Sequence, residues 1–370
     1  MKAEELVKYP SVANWLARLS FRHSGSVKTR HGYLHALNLF CRSIGKNPDE
    51  LLALGKEDVE AVETLVMQSF NKAQEEGKKR GTVVFYYMVV RSFFRHNKVK
   101  FTDISPESWT ETESRPLSKE EITRLIDVAD IRIKAFVTVM KDSGLAPVDI
   151  LLMTYGQVKA GLETNNVPVS FTILRQKTKV KFTAFLGPDA ILRLKQYLDA
   201  RRRGTKTISP ETFTDSTRLF VTEDNRKVPA SYETIRIQFD IACKKAAIKA
   251  RLYDIRKFFQ TQLVLASVNE KLIEYWMGHK LPGQKIAYLV PTVQEQAVVY
   301  MHAYPRLSLT ETEPIGAAKQ QWKAQLIASL RLNPSLTSTQ VDMISKELDK
   351  FRDLSEVDWD TIKAVAEGAK

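Results

Sequence analysis

The chain has 370 residues, 44% of them hydrophobic and 27% charged, with two cysteines and a net charge of +13, enough for two domains and a tail. No run of about 18 apolar residues offers a membrane span, and the first fifteen residues lack the apolar stretch of a signal peptide. Cys41 and Cys243 are far apart in the chain, which argues against a disulfide framework or a thiolate zinc site. These features predict a cytoplasmic protein. Residues 310–370 hold eight Lys/Arg against ten Asp/Glu, so residues 1–309 carry an excess of +15, which favours a polyanionic partner.

Residues 10–100 read as helices. In "SVKTRHGYLHALNLFCRSI" the apolar residues Tyr33, Leu34, Leu37, Phe40 and Ile44 recur at helical spacing, with Ser26 or Thr29 as a possible cap. His31 and His35 share a face four residues apart, but no third ligand accompanies them and no metal is expected. The polar stretch "EEGKKRG" reads as a loop, and "GTVVFYYMVVRSFFRHNKV" as a second strongly apolar helix. Lys28, Arg30, Arg91 and Arg95 place basic charge on the edges of this helical domain, assigned to residues 1–102.

Residues 103–116 are polar, contain Pro106 and Pro116, and read as a linker. Ser118 and Glu121 then form a capping box that opens a second domain over residues 117–309. That domain is mainly helical with one β signal. In "VSFTILRQKTKVKFTAFL" two β-rich runs flank a polar tip at Gln176 to Lys179. A helix with Pro188 in its first turn and Gly204 past its end follows. Two more come next, the first carrying Arg236 and Lys244, the second beginning at "RLYDIRKFF". Residues 310–370 form an acidic extension with two or three amphipathic stretches. No repeat, P-loop or GxGxxG occurs, so nucleotide hydrolysis has no visible seat.

Three segments, "RQKTKVKF", "YDIRKFF" and "WMGHKLPGQKIAY", resemble in kind and in order the catalytic half of tyrosine recombinases (integrases). The likeness spans about residues 10–305 and is greatest to integrases of archaea and their mobile elements. It implies a mainly α fold: a helical core-binding domain, then an α+β catalytic domain with a small hairpin. The implied activity is cleavage and rejoining of double-stranded DNA at attachment sites through a 3′-phosphotyrosyl link, with no metal, ATP or other cofactor. The implied assembly is a tetramer on DNA, with a dimer or monomer when free.

By the same resemblance Tyr288 is the nucleophile, nine residues after His279; Tyr300 and Tyr304 are rivals at less suitable spacing. A tyrosine ester conserves the phosphodiester energy for rejoining. Arg256 and His279 meet the charge that builds on the non-bridging oxygens, and Lys177, with Lys179 as rival, protonates the leaving 5′-oxygen. Tyr253 stands where the family usually has His or Lys, three residues before the second arginine; it can donate a hydrogen bond but brings no charge.

The larger departure is in "KDSGLAPVDILLM". The family's first box reads Gly-Leu-Arg with Glu or Asp three residues on. Gly144, Leu145 and Asp149 fit, but Ala146 stands at the arginine position. Gly144 suits a helix end and Pro147 the start of the next, which would put residue 146 at a helix N-terminus, where anions bind. Either a natural impaired relative or a substitution in an active enzyme fits, and both predict DNA binding with slow cleavage. Two alternatives stay open: a type IB topoisomerase-like nicking enzyme, and a non-catalytic DNA-binding regulator derived from a recombinase.

Overall fold

The computed structural model describes residues 3–22, 27–102, 107, 115–164, 166–177, 179–204, 210–222, 228–281, 291–309, 323, 327, 330–331, 337–348 and 362. The chain divides into two compact units, Met1–Ser114 and Arg115–Lys370.

The first unit is helical. A short 3-10 turn, Ala3–Lys8, precedes α1 (Pro10–Arg22), α2 (Val27–Ile44), α3 (Pro48–Glu57), α4 (Val59–Glu75) and α5 (Arg80–His96). Each helix buries one stripe, as an amphipathic sequence must. Trp15, Leu37, Phe40, Val90, Phe93 and Phe94 form its closed interior. The Asn47/Glu50 capping box with Pro48 starts α3, and Asp58 caps α4 by accepting from the Ala61 N–H. Ser26, one of the two cap candidates for α2, lies outside the described residues.

The second unit is mainly α around one hairpin. Its elements are α6 (Lys119–Val128), α7 (Ile131–Ser143), α8 (Pro147–Leu152), α9 (Tyr155–Glu163), β1 (Val169–Leu174), β2 (Lys181–Leu186), α10 (Pro188–Arg203), α11 (Tyr232–Lys245), α12 (Leu252–Leu265), α13 (Glu270–Trp276) and α14 (Val293–Leu307); a further helix, α15 (Ser338–Leu348), lies in the C-terminal extension. Ser118 and Glu121 form the capping box expected at the start of α6. The hairpin pairs Val169 with Leu186 through Leu174 with Lys181. Val169, Phe171 and Ile173 alternate inward along β1, the period-2 pattern of a half-buried strand. Phe136, Phe182, Phe185, Phe220, Phe258, Trp276 and Tyr300 make the core on which the hairpin lies.

The chain between α7 and α8 is set by sterics. Gly144 adopts φ +62°, and a Cβ there would stand 2.2 Å from the Phe259 ring, so only glycine permits α12 to pack this close. Ala146 is the N-cap residue of α8 with no side-chain cap, and Pro147 takes the first turn. The helix is only six residues long. Residue 146 thus stands at a helix N-terminus, as the sequence predicts, and the few aligned peptides give that helix a weak dipole.

Candidate functional site

Arg256 is the centre of the constellation. It lies on the inner face of α12, 6% exposed, one turn after Tyr253, which is half exposed. Its Nη1 donates to the Gly144 carbonyl and its Nη2 donates to the Met277 carbonyl at 2.7 Å. The same Nη2 stands 3.3 Å from His279 Nε2. A helix end (Gly144), a helix (α12) and the turn after α13 are therefore joined by one guanidinium. Burial, then the charge of Arg175, lowers the Arg256 pKa to about 10, so it remains a cation at neutral pH.

His279 is carried by that turn. Gly278 adopts φ +66°, and a Cβ there would meet the Phe182 ring at 2.6 Å; only glycine lets the turn close over the hairpin. The imidazole is about 39% exposed, with Nδ1 4.0 Å from Glu274. Partial burial, then Arg256 and Arg175, pushes its pKa below the ordinary imidazole value, and Lys177 adds in the same sense. The neutral ring accepts from Arg256 through Nε2. An incoming anion would favour the protonated ring, which can then donate.

The hairpin supplies the lysines. Arg175 N–H donates to the Val180 carbonyl and Lys179 N–H to the Arg175 carbonyl, both at 2.9 Å, which closes the tip. Lys177 is exposed there, close enough for its charge to reach His279. Lys179 has φ +56° and its Nζ donates to Gln176 Oε1 at 3.3 Å. Both rivals are exposed at this tip, Lys179 with its ammonium on the Gln176 side chain.

Gly144, Leu145, Ala146 and Asp149 of the expected first box run from the end of α7 into α8. Asp149 is buried and accepts from the Gln176 N–H at 3.0 Å, tying the box to the hairpin. Ala146, 4% exposed, contributes no polar group.

Tyr288 lies outside the described residues, which resume at Pro291. The two rival tyrosines are accounted for. Tyr300 is fully buried and donates to the Asp142 carbonyl at 2.9 Å. Tyr304 is 4% exposed, its hydroxyl 3.2 Å from Asp142 Oδ2 and accepting from the Asp189 N–H at 2.9 Å. Burial holds both phenols well above their usual pKa, and neither is open to an outside ligand. Both belong to the seat of α14, where the buried Lys141 ammonium contacts Asp142 and Asp189 and donates to the Leu307 carbonyl at 2.7 Å.

The candidate DNA-contacting residues divide. Lys28, Arg30, Arg95 and Lys244 are exposed. Arg91 is half-buried. Arg236 is held by Glu233 and by Asp240 at 2.7 Å, so it meets a phosphate only by giving up carboxylates. His31 faces Glu4 at 3.3 Å, and no group of three or more candidate ligands for a metal ion occurs among the described residues. Burial pushes both cysteine thiols up to about 12, which leaves them inert.

The residue that sequence reading passed over is Arg175. It opens the segment "RQKTKVKF", ahead of the two candidate lysines. It donates through Nη1 to the Met277 and Gly278 carbonyls at 2.8 and 2.9 Å, beside Arg256. Its position as the last residue before a polar tip was the available signal; the tight turn it reaches is 102 residues away in sequence.

Residues 115–294 match the phage integrase family. No curated protein matches the chain in sequence. Among solved structures, a lambda integrase tetramer bound to a Holliday junction is 15% identical, with TM-score 0.54, over 75% of this chain and 76% of the other. A lambda integrase dimer bound to a core site is 15% identical, with TM-score 0.53, over 76% and 95%. The Tn1549 transposon integrase in complex with transposon right end DNA is 14% identical, with TM-score 0.53, over 79% and 98%. At these identities the likeness establishes the fold: helical domains with a small sheet.

Proposed function

The chain carries a phage integrase (tyrosine recombinase) family domain over residues 115–294, and from that premise we propose that it is a site-specific recombinase that cleaves and rejoins double-stranded DNA. The observation that carries the reading is the meeting of Arg256 and His279 at 3.3 Å beside the tip that presents Lys177.

In this mechanism a DNA phosphate lies against the Arg256 guanidinium and the His279 ring. The Tyr288 phenolic oxygen attacks phosphorus, its proton passes to solvent or a neighbouring base, and the bond to the 5′-oxygen breaks. Lys177 gives that oxygen a proton. A 3′-phosphotyrosyl ester and a free 5′-hydroxyl result; attack by another strand's 5′-hydroxyl reverses the steps. Fixed cations act at the phosphate, where charge builds. Tyr253, half exposed on α12, serves as a neutral donor near the same phosphate. Exposed Lys28, Arg30, Arg95 and Lys244 add sequence-independent phosphate contacts. The lambda integrase has been seen as a tetramer on a Holliday junction; four protomers across two duplexes is the assembly we carry over.

Ala146 removes one guanidinium from the family's set, so cleavage is slow but not absent. The test is a nicked suicide duplex bearing the attachment site, scored for covalent protein–DNA adduct. We expect adduct from the chain as it stands, none from Tyr288→Phe, and at least about tenfold faster formation from Ala146→Arg, a fraction of the ~10³–10⁵ that a transition-state arginine can supply in phosphoryl transfer. Sequence-specific binding with no adduct in either form would instead make the protein a DNA-binding regulator. Relaxation of supercoiled DNA of any sequence by a monomer would make it a topoisomerase.

A further inference from the structure

We propose that Arg175 is a second phosphate-binding guanidinium of this site, taking over from the hairpin the charge that Ala146 cannot bring. The proposal rests on the recombinase reading above.

Three observations carry it. Arg175 and Arg256 converge on one acceptor: Arg175 Nη1 and Arg256 Nη2 stand 2.8 and 2.7 Å from the Met277 carbonyl oxygen. Two like charges that share a buried acceptor repel, and such an arrangement is costly unless an anion joins it. The counter-charge present is incomplete. Asp149 lies 4.0 Å from Arg175 Nε, has given Oδ1 to the Gln176 N–H, and its carboxyl is shifted toward the neutral form by burial. Among the described residues, the carboxylate that these two guanidinium groups have within ion-pair distance is that of Asp149.

The third observation is the donor inventory. Arg175 has a side chain 11% exposed, and its Nε is buried without a hydrogen-bond partner among the described residues. Nη1 is committed to two carbonyls, while Nη2 meets no acceptor among the described residues. A buried guanidinium with donors to spare beside a second guanidinium is a half-filled anion site. The ligand class is a phosphodiester. It brings one negative charge in the ground state and a second as the pentacoordinate transition state forms, which two fixed guanidinium groups match.

The hairpin places the charge from a different element than the family's box. Residue 146 sits at the start of α8, whereas Arg175 enters from the end of β1. Asp149, three residues after Ala146, binds the backbone of Gln176, next to Arg175. The two sources therefore border the same phosphate position. Arg175 also braces the Met277–Gly278 turn, and a purely structural brace is the competing account.

The experiment compares the chain with Arg175→Ala and Arg175→Lys on two suicide substrates, one with a natural scissile phosphate and one with a methylphosphonate there, each diastereomer separately. The methyl group replaces a charged non-bridging oxygen, so a residue that neutralises that charge loses its purpose, while the bonds made and broken stay the same. On the natural substrate Arg175→Ala should form adduct at least about 100-fold more slowly, the size of a lost oxyanion donor, and Arg175→Lys should fall between. On one methylphosphonate diastereomer the deficit should shrink to within about tenfold. Adding Ala146→Arg to Arg175→Ala should restore adduct on the natural substrate.

Arg175→Ala within a few-fold of the parent on the natural substrate would overturn the proposal. So would an equal loss on all substrates by both variants with no restoration by Ala146→Arg, which is the signature of a brace. Absence of adduct from the parent chain on every substrate would remove the recombinase reading itself, and the proposal with it. Should Arg175→Ala not fold, the same substrate comparison with Arg175→Lys decides.

Discussion

Arg256 spends both terminal nitrogens on carbonyls of Gly144 and Met277 and still faces His279. Its placement is over-determined, as a preorganised site requires. The coupling has a pH consequence. The His279 pKa is lowered in the folded protein, so the unfolded chain binds the proton more readily, and the associated stability is present above the unfolded value of about 6.5. It is lost as pH falls through the folded value. Acid titration of unfolding should therefore show a stability loss beginning just below neutrality that His279→Gln reduces. Saturating short duplex DNA should blunt the same loss, because the phosphate stabilises the charged ring. An unchanged acid slope in His279→Gln would show that the imidazole is not coupled to the fold in this way.

At the scale of elements, the site is assembled from ends: the end of α7, the first turns of α12, the turn after α13 and the tip of the hairpin. Two glycines hold these ends together. Gly144→Ala would force a positive φ on a residue with a side chain and drive a methyl into Phe259. We expect a loss of at least about 2 kcal/mol in denaturant unfolding of the second unit; a loss within about 0.5 kcal/mol would show that α12 can withdraw at little cost. The hairpin tip has its own test. If Lys177 protonates the leaving oxygen, Lys177→Ala should cleave slowly on a normal substrate but recover with a 5′-bridging sulfur, since a thiolate leaves without a proton. Lys179→Ala should cleave normally on both. Recovery of neither substrate by Lys177→Ala would assign the proton to another group.

These elements were legible in the sequence because local signals set them. The Ser118/Glu121 box, Gly144 followed by Pro147, and Pro188 to Gly204 mark helix ends by rules that act within a few residues. The hairpin followed from β-rich runs about a polar tip. What was not legible was non-local. The role of Arg175 depends on a turn far along the chain, and Arg236 looked like free basic charge until Glu233 and Asp240, three residues before and four after it on one helical face, were seen to hold it. The brevity of α8 was not legible either: Ala146 and Pro147 mark where it starts, not where it stops.

At the scale of the molecule, an excess of basic charge over residues 1–309 and a net acidic extension after them suggest a division of labour between DNA and protein contacts. Helix α14 buries Tyr300, Tyr304 and Leu307 within the same chain, and in the extension Val341, Ile344 and Leu348 of α15 are buried as well; we expect the remaining surface of the extension to meet a neighbour. Removing residues 310–370 should leave binding to a single site within a few-fold and shift the DNA-bound species from tetramer toward dimer or monomer in sedimentation. An unchanged tetramer would place the assembly contacts elsewhere.

The central claim is that one phenol is delivered to the phosphate held by Arg256 and His279. The most direct measurement is peptide mass mapping of the protein–DNA adduct trapped on a suicide duplex, which locates the phosphotyrosyl group by residue. The account predicts the modification on Tyr288; its presence on Tyr253, or any adduct that persists in Tyr288→Phe, would contradict it.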